Sequence, residues 1–209
     1  MTGDLFSSDP NPKLLSMPNA EVFYLRHMPL PLAPDEILKQ LIHQTSWRAE
    51  KVTVWGKQHM QPRLIQWFGD SGNRYSYSGV VLDPQPWTPL LLELKAAVEQ
   101  ISEEQFNSVL LNYYRDHRDS MGFHSDDEPE LGAKPIIASV SLGATRTFIL
   151  KHKTNKLLKP VRIPLESGSL LVMKGDTQRN WKHGIDKEAR PCGPRVNLTF
   201  RRIKSTSPD

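Results

Sequence analysis

One cysteine, Cys192, is all the thiol the 209 residues carry. That excludes an internal disulfide and suits a reducing compartment. Long apolar runs are also missing: none approaches the roughly 18 residues that a membrane helix needs. The opening residues, MTGDLFSSDPNPK, lack the apolar stretch of a secretory signal. The expectation is therefore a chain that is not secreted and works in the cytoplasm, or in the nucleus of a eukaryote. No internal repeat or flexible linker interrupts the sequence, so one domain is expected at 19–204, between a disordered tail at 1–18 and a short one at 205–209. Charge is nearly balanced, with 27 Lys and Arg against 23 Asp and Glu. Its distribution is uneven: Arg146 to Arg162 holds six basic residues and no acid. Such a stretch is either a phosphate footprint or a solvated hairpin.

Strand signals dominate what is there. EVFYLRH (21–27) reads as a first strand. Pro34-Asp35-Glu36 opens a helix whose buried stripe is Ile37, Leu38, Leu41 and Ile42, ending near Trp47. The β-rich runs 51–57 and 62–69 are bridged by Gly56 and a polar segment, which predicts a hairpin between them with Trp55 at its turn. Tyr75-Ser76-Tyr77-Ser78-Gly79 alternates, so Tyr75 and Tyr77 face one way. Thr88-Pro89 caps a second helix with an apolar face of Leu90, Leu91, Leu94, Ala97, Val98 and Ile101. From Phe106 onward eight short strands are expected, near 107–114, 123–127, 136–142, 145–152, 160–164, 169–173, 178–183 and 194–202. Eight strands punctuated by Gly and Pro suggest two sheets wound as a jelly roll. The loops Arg118–Met121 and Asp186–Pro194 would rim its open end.

Chemistry concentrates in two places. His124-Ser125-Asp126 sets an imidazole and a carboxylate two residues apart, and on a strand both would point to one face. One further histidine would complete the two-His, one-carboxylate face used by non-haem Fe(II) oxygenases. His183 is the candidate. Near the other end, RVNLTFR (195–201) alternates strictly. Arg195, Asn197, Thr199 and Arg201 share one face, while Val196, Leu198 and Phe200 share the other. Guanidinium groups grip carboxylates through a planar fork, so the polar face suits a small dianion if it looks into a barrel.

Together HSDDE (124–128), His183, RVNLTFR, the NYY at 112–114 and PIIASVSLGATRTF (135–148) resemble the AlkB-type dioxygenases. These repair alkylated nucleic acid with Fe(II) and 2-oxoglutarate. The likeness runs from about Val22 to Ile203 and is closest to the branch that includes the animal DNA-repair demethylases. It implies an α+β, mainly β fold: a double-stranded β-helix core at 106–204, preceded at 19–105 by buttressing helices and a nucleotide-recognition hairpin. It implies iron on His124, Asp126 and His183, and 2-oxoglutarate held by Asn112, Tyr114, Arg195, Asn197, Thr199 and Arg201. Arg201 would take the far carboxylate; Arg195 would complete that pocket or instead position the iron-bound end. Molecular oxygen is the co-reactant; formaldehyde, succinate and CO2 are the products. The expected substrates are 1-methyladenine and 3-methylcytosine in DNA or RNA, extruded so that the methyl can be reached.

Substrate contacts implied by the resemblance fall on Val52, Trp55, Arg63, Tyr75, Tyr77, Ser78, Asp127 and Glu128. Trp55 would be the finger filling the gap a flipped base leaves, with Val52 nearby. Tyr77 and His124 would sandwich the base, and Tyr75 and Glu128 would reach its edge. Asp127 fits a charged loop better, holding an arginine such as Arg63. A monomer is expected, with no membrane and no obligate protein partner. Two other readings use fewer of these residues. A 2-oxoglutarate hydroxylase acting on protein or a small molecule has no use for Trp55 or Tyr77. A non-catalytic jelly-roll binding module has no use for the iron triad.

Overall fold

The computed structural model describes residues 11–54, 57–71, 75–77, 80–82 and 84–204. Its strands are Lys13–Leu14 (β1), Glu21–Leu25 (β2), Lys51–Val54 (β3), Lys57–Met60 (β4), Leu64–Gly69 (β5), Tyr75–Tyr77 (β6), Val80–Leu82 (β7), Ser108–Tyr114 (β8), Met121–His124 (β9), Ile137–Gly143 (β10), Arg146–His152 (β11), Val161–Leu165 (β12), Ser169–Lys174 (β13), Trp181–Ile185 (β14) and Arg195–Arg201 (β15). The helices are Pro34–Gln44 (α1), Pro89–Ser102 (α2) and Thr177–Asn180 (α3), with a 3₁₀ turn at Pro129–Leu131.

The eight strands after Phe106 divide evenly between two antiparallel sheets, as a jelly roll requires. One is ordered β12-β11-β14-β9; β13, β10, β15 and β8 form the middle of a seven-stranded sheet ordered β1-β2-β13-β10-β15-β8-β5. The first 105 residues therefore supply three strands of the larger sheet as well as the helices.

Period-two alternation sorts the side chains of the large sheet onto two faces. On the outer face Val109, Leu111, Ala138, Val140, Leu142, Leu170, Val172, Val196, Leu198 and Phe200 pack with Ile37, Leu38 and Leu41 of α1 and Leu91, Leu94 and Val98 of α2. On the inner face Leu110, Tyr114, Ile137, Leu171 and Met173 meet Phe148, Leu150, Ile163, Leu165, Trp181 and Ile185 of the smaller sheet. Each aliphatic or Phe side chain fully buried this way contributes roughly 1.5–3 kcal/mol. The polar residues of β15 share the inner face, so a row of hydrogen-bonding groups lies between two apolar layers.

Several boundaries differ from the expectation. The hairpin pairs β3 with β4, Val54 opposite Lys57, and not residues 51–57 with 62–69. Leu64–Gly69 pairs with β8 in the large sheet instead, where the burial available to its Ile65, Trp67 and Phe68 is greater. α1 stops at Gln44, because Thr45 turns extended while its N–H still closes on the Leu41 carbonyl at 3.2 Å. The strand expected at 178–183 is α3 followed by β14. α2 starts where its cap predicts: the Thr88 hydroxyl accepts from the Leu91 N–H at 3.2 Å.

A candidate metal and cosubstrate site

β9 ends at His124, so Asp126 is not on the same strand face as the histidine, as the spacing had suggested. The segment turns inward and still brings the two groups together. His124 and His183 face each other across the β9–β14 ladder. Their rings meet edge to face, 4.4 Å between centroids. Asp126 sits between them: Oδ1 is 3.9 Å from His124 Nε2, and Oδ2 is 3.7 Å from His183 Nε2. One ligand atom from each of the three lies within 4.8 Å of the others. Gly184 allows this approach, since a Cβ there would stand 2.9 Å from the Met121 carbonyl oxygen.

The protonation states suit a metal. His124 Nδ1 lies 3.0 Å from the Gly122 carbonyl, which sets the proton on Nδ1 and turns the Nε2 lone pair to the centre. Burial, reinforced by the neighbouring His124, holds His183 neutral down to about 3. Burial alone would raise Asp126; the charge of Arg201, with both histidines, overrides it and keeps the carboxyl at about 2. Two imidazoles and one carboxylate, converging on one point, are the donor set Fe(II) takes.

Buried bonds hold Asp126 in place. Arg201 Nη2 donates to its Oδ1 at 2.7 Å. Its backbone N–H donates to Gln178 Oε1 at 3.0 Å, and the Ser125 hydroxyl donates to the Trp181 carbonyl at 3.0 Å. Gln178 and Ser125 carried no sequence signal, because the expected strand placed 178 in a ladder.

The β15 row runs away from the triad. Thr199 donates to Asn197 Oδ1 at 3.1 Å, and Asn197 Nδ2 donates to Ser139 Oγ and to the Val140 carbonyl at 2.7 and 2.9 Å. Arg195 Nη2 donates to Ser141 Oγ at 3.0 Å. Ser139 and Ser141 were missed although their alternation in SVSLG was visible. Arg195 is fully buried beside Tyr114, its guanidinium carbon 5.0 Å from the ring centre. Its Nε and Nη1 and the Tyr114 hydroxyl meet no hydrogen-bond partner among the described residues. Burial pushes this arginine down to about 10. The triad, Tyr114, Met121, Phe148, Met173 and the four β15 polar residues line one pocket of ≈ 370 Å³, its open mouth included.

Not every expected residue is in that pocket. Arg201 lines the pocket at its Asp126 end, where its Nη2 is bonded to that carboxylate. Six residues of strand, about 20 Å, separate its backbone from that of Arg195. Asn112 is absent from the pocket lining: its Oδ1 accepts from Arg63 Nε at 2.7 Å, and its Nδ2 is buried without a partner among the described residues. Arg63 is itself buried and props the sheet, so it offers no surface to a base. Asp127 pairs with Lys153 at 3.0 Å, not with Arg63. Glu128 is half-buried one residue further on. Trp55 and Ser78 lie outside the described residues, as do the side chains of Val52, Tyr75 and Tyr77, whose backbones lie on β3 and β6.

The basic stretch is also redrawn. Arg146 is an interior residue whose guanidinium donates to the carbonyls of Asp116, Asp119 and Asp186 at 3.4, 2.9 and 2.6 Å, tying together the two loops expected to rim the site. Lys156, Lys159 and Arg162 are exposed, and Leu157 at the same tip is 94% exposed.

An antiparallel jelly roll holding a His-Asp-His group at one end of an arginine-bearing pocket defines a class of oxygenase, and residues 23–201 match the 2OG-Fe(II) oxygenase superfamily. The chain belongs to that family, whose members are dioxygenases requiring Fe(II), 2-oxoglutarate and O2. Within it the chain is 43% identical over 177 residues to the alpha-ketoglutarate-dependent dioxygenase alkB homolog 3 of Mus musculus and of Homo sapiens, covering 81% of this chain and 61% of each relative. It is 40% identical over 181 residues to the human DNA oxidative demethylase ALKBH2, covering 82% and 69%. The chain thus spans about three-fifths of the alkB homolog 3 proteins. The solved structure of OsALKBH1 shares the fold, with a TM-score of 0.61 at 19% identity over 91% of this chain and 100% of that one.

Proposed function

We propose that this protein removes N-linked methyl groups from nucleic acid by oxidation, acting on 1-methyladenine and 3-methylcytosine. The observation that carries the cosubstrate half is the shared pocket: three converging metal donors, and a buried arginine with unmet donors beyond them. The nucleic-acid half is supported by the demethylase relatives and by the exposed basic side chains of Lys156, Lys159 and Arg162.

In this reading His124, Asp126 and His183 would hold iron. Arg195 and the Tyr114 hydroxyl hold the far carboxylate of 2-oxoglutarate, which supplies the partner their buried donors lack. Arg201 fixes the Asp126 carboxylate so that it presents one geometry to the metal. Bound iron with 2-oxoglutarate and O2 supplies hydroxylation of the methyl carbon, after which formaldehyde leaves and succinate and CO2 remain. Phe148, Met121 and Met173 keep the pocket wall apolar and limit water beside the reacting carbon. Val52, Trp55, Tyr75, Tyr77, Ser78 and Glu128 handle the extruded base. Alkylated DNA or RNA is the partner, and the cytoplasm or nucleus, where a lone thiol stays reduced, is the compartment.

The test is formaldehyde and succinate release by iron-loaded protein on matched single-stranded and duplex oligonucleotides carrying either lesion. Turnover requiring iron, 2-oxoglutarate and the methyl group is expected. Succinate without methyl loss would reject nucleic-acid demethylation and point to a protein or small-molecule hydroxylase.

A further inference from the structure

We propose that Gln178 is a positioning residue for the metal-binding carboxylate, acting through the backbone of Asp126. The proposal rests on the metal reading above and concerns how that centre is kept in shape. β9 ends at His124, so no sheet ladder fixes Ser125, Asp126 or Asp127. The Asp126 residue is nevertheless almost wholly buried, and a buried N–H without an acceptor is costly. Its acceptor is a side chain rather than a neighbouring strand: Gln178 Oε1, at 3.0 Å.

Gln178 is well suited to act as an anchor. It is itself fully buried, and its short helix, α3, leads directly into β14, the strand carrying His183. Its amide is orientated from the other side, where Nε2 donates to the Met173 Sδ at 3.4 Å. That contact sets which end of the amide faces Asp126, because a thioether only accepts. Two of the three metal ligands are thereby tied to one rigid segment, residues 177–183: His183 lies on it, and Asp126 hangs from it. Arg201 grips the carboxylate of Asp126, while Gln178 grips its main chain. With either hold gone, the side chain could turn about its own backbone and the three donors would no longer converge.

The measurement is the dissociation constant for Mn(II), read by electron paramagnetic resonance on metal-free full-length protein at a temperature where every variant is folded. Gln178→Leu removes the acceptor at similar volume; Gln178→Glu keeps an acceptor for the N–H. Loss of a group that orientates a metal ligand weakens binding by about 10–100-fold. Gln178→Leu is expected to fall in that range, and Gln178→Glu to stay within about threefold of the unaltered protein. Val98→Ala, a core truncation on α2, controls for general loosening and is expected to leave the constant unchanged. Gln178→Leu binding as tightly as the unaltered protein would overturn the proposal. So would Gln178→Glu binding as weakly as the leucine variant, which also decides the matter if the leucine variant does not fold. Failure of the unaltered protein to bind Mn(II) would instead overturn the metal centre, and the Gln178 role with it.

Discussion

Arg195 carries its charge into the protein interior with its Nε and Nη1 unmet among the described residues, a cost that the proposed 2-oxoglutarate carboxylate would offset. Replacing it by methionine should leave the metal-free protein as stable as before, or a few degrees more so, because a poorly paired buried cation is removed. The same change should abolish the thermal shift that 2-oxoglutarate gives in the presence of Mn(II). In the unaltered protein that shift should be about 5–10 °C at a hundredfold excess over the dissociation constant, by calorimetry. Equal shifts in both proteins would place the cosubstrate elsewhere. Asp126 makes a second residue-scale prediction. Its folded pKa, about 2, lies below the unfolded value of 3.8, so the ionised carboxylate stabilises the fold above 3.8 and that contribution disappears as pH falls toward 2. The stability gap between the metal-free protein and Asp126→Asn should therefore be full at pH 5 and close between pH 3.8 and 2 in urea melts. The arginine row was legible because alternation alone puts residues 195 to 201 on one face. That Arg201 is bonded within the protein was not, since its partner Asp126 lies 75 residues earlier. Gln178 was illegible for a similar reason: its partner is a backbone N–H left over where a strand stops.

At the scale of elements, the junction of β9 with β14 positions both histidines, and Gly184 sets its closeness. Gly184→Ala would force the Met121 backbone away and separate His124 from His183. The expected cost is about 1–3 kcal/mol of stability together with weaker Mn(II) binding, measured by melting and by titration. A loss of stability with unchanged metal affinity would show that the strand spacing is not what aligns the ligands. By contrast Thr88→Ala, which only uncaps α2, should cost about 1 kcal/mol and leave metal affinity alone. Elements marked by strong local chemistry, such as Thr88-Pro89 or the alternation of β15, matched their expected places. Those decided by partners far along the chain did not. The run 62–69 looked like half of a hairpin, yet its Ile65, Trp67 and Phe68 are buried beside β8 in the large sheet, and burial settles the pairing. The 123–127 run likewise reads as strand throughout, but the inward turn after His124 puts Asp126 at the metal.

For the whole molecule, the proposed nucleic-acid substrate makes the exposed basic residues the ones to test. Arg146, counted with the basic stretch in the sequence, is used internally to clasp two loops, and Lys153 is paired with Asp127. Changing Lys156, Lys159 and Arg162 together to Gln should weaken binding of a single-stranded oligonucleotide and flatten the log–log dependence of affinity on salt by about 2, with kcat unchanged. An unaltered slope would move the phosphate contacts to another face. The sheet order has one further consequence, for biosynthesis. β15 is the last strand in the described sequence, yet it lies between β10 and β8 in the middle of the larger sheet. While the chain emerges from the ribosome, both of those neighbours wait with an unsatisfied edge until residues 195–201 are free to insert. The strand that closes the sheet is also the one that brings both pocket arginines, so a nascent chain gains its complete hydrogen-bonded framework and its anion-binding groups in the same event.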